Sequence, residues 1–174
     1  AGSTFKKVYY DDLLERGVSK FVPADDLVVP YSATSLEDAE AIIHVIKISE
    51  NDLRKQQVNG FYRDVELTKP SDVEDKVSKK ERELDGTKKT GKVEDMYTLL
   101  ECHINLDIEG FEDMGQDGEP TGIRLPYIVT IDEGSKEVLS IKRNFEQNDS
   151  KKQKINYFVH FKFLPGLGFY GFGL

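Results

Sequence analysis

The sequence contains no tryptophan, a single cysteine (Cys102), two methionines and three histidines. One cysteine excludes an internal disulfide framework and suits an intracellular setting. His44, His103 and His160 each fall inside a strand-like stretch, without the H-x-x-x-H or C-x-x-C spacing that zinc sites use. No apolar run approaches the about 18 residues of a membrane span. Basic residues are the minority, 24 Lys and Arg against 32 Asp and Glu, giving a net charge of −8. That balance is a poor match to a surface that neutralises phosphates. No G-x-S-x-G elbow occurs, and carboxylates are so plentiful that no acid–base pair stands out. Cys102 and His103 are adjacent, which on a strand sends their side chains to opposite faces and argues against a Cys–His nucleophilic pair. The sequence therefore offers no catalytic residue, no cofactor-binding residue and no metal ligand.

What is present reads as one folded α+β domain. The 174 residues, 38% hydrophobic and 32% charged, suffice for a substantial core. Ala1-Gly2-Ser3 reads as a cloning scar, and residues 4–174 as a single domain. Tyr9 to Gly17 predicts one or two helical turns ended by Gly17. Phe21 to Tyr31 predicts two short extended pieces, which Pro23 and Pro30 keep out of a sheet centre. Thr34 to Ala39 resembles a helix start with Ser35 as N-cap. Ala41 to Ile48 is β-branched and apolar on both faces, predicting an interior strand. It runs into a helix over Ser49 to Asn59, capped by Ser49, carrying Glu50 and Asp52 at its positive end and Glu50 four residues before Arg54, and ended by a left-handed Gly60. Residues 69–92 are almost wholly polar, with Val73, Val77 and Leu84 as apolar anchors, and predict an exposed charged helix followed by a loop.

The remainder predicts antiparallel β-structure. Met96, Thr98, Leu100, Cys102, Ile104, Leu106 and Ile108 read as the dry face of a long strand. Tyr127, Val129 and Ile131 alternate into a hairpin turn at Asp132 to Ser135, and Val138 to Arg143 returns. Ile155, Tyr157, Val159, Phe161 and Phe163 read as the dry face of a last strand. The stretch from Lys162 to Leu174 then interleaves four glycines with Leu167, Phe169, Tyr170 and Phe172. An end this apolar is expected to be buried against something, which suggests one piece of a longer polypeptide or larger assembly.

Three patterns invite chemistry. Gly166 to Gly171 spells G-x-G-x-x-G, but a dinucleotide site needs a helix opened by it and an acidic residue further on, so close packing of an aromatic-glycine chain is favoured. The acidic loop 107–119 (Asp107, Glu109, Glu112, Asp113, Asp117, Glu119) invites calcium. Counted from Asp113, however, position twelve is Arg124 where an EF-hand needs a bidentate Glu. A looser oxygen-ligand site competes there with an ordinary acidic surface loop. Lys142, Arg143, Lys151, Lys152 and Lys154 form one basic patch, read as a solvated hairpin end rather than a nucleic-acid contact. Asn148-Asp-Ser150 reads as a polar turn.

Several segments nonetheless resemble a known family. Val28 to Ala39, Ile42 to Lys55, Asn59 to Asp64, Leu125 to Asp132, Val138 to Asn144 and Phe158 to Leu174 are similar to portal proteins of tailed bacteriophages, the short-tailed type in particular. The likeness covers most of the chain and is weakest over 69–92 and the acidic loop. It implies the wing of a much longer subunit, the α+β part, with residues 165–174 leading toward an absent stem. It further implies self-association into a ring of twelve subunits at one capsid vertex, where terminase, capsid, scaffolding and tail proteins dock and DNA passes through the channel. DNA is not expected to be bound specifically by this piece. Location in the virion, with assembly in the host cytoplasm, no membrane and no enzymatic activity, follows from the same likeness. Two other readings stand beside it: a stand-alone peptide-binding module using the aromatic-glycine end, and a calcium-binding domain.

Overall fold

A computed structural model describes residues 2–11, 14–69, 96–166 and 168–173. The charged stretch 70–92, with Val73, Val77 and Leu84, lies outside the described residues. Strands β1 (Ser3–Asp11) and β2 (Arg16–Val22) are followed by a 3-10 turn at Ala24–Asp26 and by β3 (Leu27–Val28), β4 (Ala41–Ser49) and helix α1 (Glu50–Val58). Then come β5 (Met96–Leu106), β6 (Leu125–Asp132), β7 (Val138–Arg143) and β8 (Phe158–Lys162). One sheet has the order β2-β1-β8, the other β3-β4-β5-β6-β7. The fold is α+β and mostly antiparallel, with a single α-helix among the described residues.

The first departure from expectation falls in Tyr9 to Gly17, where Tyr9 to Asp11 and Arg16 to Gly17 are paired strands and not helical turns. β1 and β2 pair antiparallel from Phe5↔Val22 to Asp11↔Arg16. The turn is closed by the Asp11 carboxylate, which accepts from the Leu14 amide, and by Glu15 at φ 48. The aromatic, β-branched run Val8-Tyr9-Tyr10 favours a strand over the local helix signal of Asp-Asp-Leu-Leu-Glu. Ser3 opens β1 opposite Lys162 and is buried, and Gly2 accepts from the Phe163 amide. Both proline-bracketed pieces sit at sheet edges, where a missing N–H does no harm.

The second departure is Thr34 to Ala39. Its capping groups are in place: Ser35 Oγ accepts from the Asp38 amide, and the Asp38 carboxylate accepts from the Thr34 and Ser35 amides. Yet the segment makes one turn and no helix. Six residues ahead of a strand are too few to offset helix nucleation, so Ala33, Leu36 and Ala39 enter the core from a turn. The helix after β4, by contrast, forms as expected. Ser49 Oγ accepts from the Asp52 amide at 3.2 Å, and Gly60 takes φ +74. Arg54 pairs with Asp64, and Gln57, buried beneath it, donates to the carbonyls of Arg63 and Val65.

Contacts group the chain into two compact units, where the sequence reads as one domain. The first holds residues 1–45, 101–129 and 141–174, the second 46–100 and 130–140. The first has a core of Phe5, Val22, Leu27, Leu36, Ile42, Phe158 and Phe169 among others. The second packs Leu53, Tyr62, Tyr97, Leu99 and Leu139, with Ile46, Ile48, Val65 and Leu67 against them. In the second unit the β6–β7 turn is organised by buried Asp132, whose carboxylate accepts from the Ser135 amide and hydroxyl. The left-handed position there is Lys136, at φ 62, and not Gly134.

Of two expected dry faces, one holds only in part and the other is reversed. In β5, Tyr97 and Leu99 are buried and Met96 is exposed, while Cys102 and His103 are both buried, so this interior strand is covered on both sides there. In β8 the buried residue is Phe158, and Val159, Phe161 and Phe163 stand outward.

Candidate functional site

The alternation of β1 sends Ser3, Phe5 and Lys7 inward, and β4 contributes His44. Spacing of two on β5 puts Glu101 and His103 on one side of that strand. All these residues belong to the first unit, and Lys7, His44 and His103 converge on the Glu101 carboxylate. Lys7 Nζ donates to Glu101 Oε1 at 2.6 Å and to Oε2 at 2.7 Å. His103 Nε2 lies 2.8 Å from Oε1. His44 Nδ1 lies 3.9 Å from the same oxygen, beyond hydrogen-bonding reach, and is buried without a hydrogen-bond partner. Phe158 covers the group, edge-on to His44 and His103 at 5.7 and 5.1 Å, with its ring centre 5.9 Å from Lys7 Nζ.

Burial by itself would raise the Glu101 pKa. The surrounding His103 and His44 and the Lys7 ammonium outweigh it and hold the carboxyl well below the usual carboxylate range. Both carboxylate oxygens are engaged by Lys7, so the group is a neutralised internal ion cluster and not a base presented to a substrate. Burial first, then Glu101, pushes the Cys102 thiol up, away from the thiolate that nucleophilic chemistry needs.

His160 sits apart from this cluster, stacked on both Phe5 (4.3 Å) and Phe169 (4.8 Å), whose rings also stack on each other at 5.9 Å. Its Nε2 is 2.9 Å from Ser3 Oγ, which also accepts from the Gly171 amide at 2.8 Å. Burial, followed by nearby Lys162, lowers the His160 pKa. Ser3 is itself buried, which encloses its hydroxyl.

The G-x-G-x-x-G stretch does not open a helix. Leu164 and Phe172 bridge antiparallel around it, and Phe169 is buried while Phe163, Leu164 and Phe172 stay exposed. Close packing explains Gly171: a Cβ there would lie 2.6 Å from Gly2 O and 2.8 Å from Leu164 O. In the acidic loop the Asp113 carboxylate is taken by Lys152 and by the Thr121 hydroxyl, and Asp117 accepts from the Glu119 amide. Among the described residues no group of three or more His, Cys, Asp and Glu is arranged to hold a metal ion.

The basic patch, expected to be a solvated hairpin end, is partly engaged in holding loops. Lys152 pairs with Asp113, Arg143 lies over the Phe111 ring, and Lys154 donates to the carbonyls of Leu36 and Ala39. Burial lowers the Lys154 pKa, with Glu37 and Asp38 opposing. In the second unit an open groove of about 900 Å³ runs between α1 and the following segment, lined by Leu53, Arg54, Gln57, Asp64, Leu67 and Tyr97. Sequence reading left the Lys7–Glu101–His103–His44 cluster unassembled, although Glu101 and His103 at spacing two in an apolar strand were its signal. No protein-family model matches the chain, and no curated protein matches it significantly.

Proposed function

We propose that this chain is the wing of a tailed-phage portal protein, a scaffold piece without catalytic activity that serves a ring at the capsid vertex. The observation that carries the reading is the disposition of side chains. Lys7, Glu101 and His103 are turned inward and paired with one another, while large apolar groups such as Phe21, Phe161, Phe163 and Phe172 are 48–65% exposed. A surface of that kind suits attachment to further protein. The quoted segments from Val28 to Leu174 add the likeness to portal subunits. Terminase, capsid, scaffolding and tail proteins are the partners it implies, with DNA passing through the intact ring. No helix among the described residues is long and apolar enough to cross a membrane.

The test is electron microscopy of the full-length product of the gene encoding this chain. A ring of twelve copies with a central channel is expected; a full-length protein that forms no ring would overturn the reading. A second reading, a stand-alone peptide-binding module, draws on exposed Phe163, Leu164 and Phe172. It would be favoured by saturable peptide binding to a full-length monomer, lost on Phe172→Ser.

A further inference from the structure

The outward side of the β2-β1-β8 sheet carries Val8 and Tyr10 from β1, Phe21 from β2, and Val159 and Phe161 from β8, each 45–64% exposed. The register sets Lys6 at the centre of this field, opposite Phe21 on one side and Val159 on the other, with its ammonium 5.8 Å from the Phe161 ring centre. By alternation the other outward residues are Thr4, Gly17 and Ser19, so this face bears no carboxylate. The three strands hold Lys6, Lys7, Arg16, Lys20 and Lys162 against Asp11 alone, within a chain of net charge −8.

The same unit carries a surface of opposite character. The 107–123 stretch holds Glu109, Asp117 and Glu119, all exposed, beside Phe111, Met114 and Ile123 at 53–57% exposure. An apolar field with a central ammonium and an apolar loop rimmed by carboxylates are complementary in both charge and polarity. We infer that the β2-β1-β8 face of one copy of this chain binds the acidic 107–123 loop of a second copy. The two patches are different, so the contact is head-to-tail and propagates from copy to copy instead of closing as a twofold dimer. The contact deepens the ring-forming reading above and rests on it for the expectation that copies of this chain meet.

Sedimentation velocity of the 174-residue chain across micromolar to millimolar concentration tests the contact. The wild type should associate with rising concentration. Lys6→Glu, and separately the double change Glu109→Lys with Glu119→Lys, should each weaken association by about tenfold or more. All three side chains are exposed, so melting temperatures should stay near wild type and exclude misfolding as the cause. Mixed in equal amounts, the two variants should regain association, because the intact loop of one meets the intact face of the other and the reversed face and reversed loop are again opposite in charge. A wild type that is monomeric throughout would overturn the inference, as would a monomer binding a single-stranded oligonucleotide through Phe21 and Phe161. Association that survives both charge reversals would also overturn it, leaving a ring seen by microscopy to be built on other surfaces. Loss with Lys6→Glu but no rescue on mixing would indicate a face-to-face twofold contact and overturn the head-to-tail arrangement.

Discussion

Glu101 shows how a few side chains fix the interior of the first unit. Its carboxylate and the Lys7 ammonium neutralise each other where neither is well solvated, the two side chains being 13% and 15% exposed. Removing one partner leaves the other as an uncompensated buried charge, so Glu101→Gln or Lys7→Met should each cost about 3–5 kcal/mol in urea unfolding. The double variant Lys7→Met/Glu101→Gln should cost less than the sum of the two, and additive losses would show that the pair is not coupled. Nothing in the primary structure announced this pair, because Lys7 and Glu101 lie 94 positions apart and only tertiary packing brings them together. His160 poses a simpler question. Its folded pKa lies below the ordinary 6.5 because of burial and Lys162. As pH falls through 6.5 the unfolded chain takes up a proton first, so stability drops until the lowered folded pKa is reached and no further below it. His160→Phe keeps a ring packed on Phe5 and Phe169 and should remove that step from a melting-temperature profile between pH 7 and 5.

At the level of elements, β8 shows where pattern reading fails. Val159, Phe161 and Phe163 are more apolar as a set than Phe158, His160 and Lys162, so hydrophobicity alone selects the wrong face. The inner face is decided by partners on other strands: Phe158 packs edge-on against His44 and His103, and His160 stacks on Phe5 and Phe169. A slip of one residue inverts every side chain, and here the inversion is what the fold requires. Phe158→Ala should therefore destabilise by about 3–5 kcal/mol, whereas Val159→Asp should change the chemical-denaturation midpoint little. Unfolding by Val159→Asp would restore the face read from the sequence. The junction of β4 and α1 was legible because its signals are local: Ser49 caps, Gly60 turns left-handed, and neither depends on distant packing. Ser49→Ala should cost about 1 kcal/mol by the same locality. The helix expected at Tyr9 to Gly17 failed for the opposite reason, since pairing of β1 with β2 overrides a weak local propensity.

Across the whole molecule the carboxylates set the response to acid. Glu37, Asp38, Asp52, Glu101, Glu112, Asp113 and Asp149 are all held below their ordinary values, chiefly by hydrogen bonds at turns and caps, with Asp38 near about 2. A carboxyl whose folded pKa is depressed contributes stability above its unfolded pKa and loses it as pH falls toward the folded one. Solvent screens most of these groups, which lie at exposed turns, so their individual contributions are small. Glu101 differs because protonating it would leave Lys7 without its counter-charge in the interior. Acid loss should therefore begin in earnest below about pH 4.5, the ordinary glutamate value, and be dominated by this one group. Thermal melts of wild type and Lys7→Met/Glu101→Gln from pH 7 to pH 3 separate the two contributions. The double variant should start lower at neutral pH and then fall less steeply below pH 4.5, because the shallow carboxylates alone remain to titrate. Parallel slopes for the two proteins would place the acid sensitivity in the surface turns and remove Glu101 from that role.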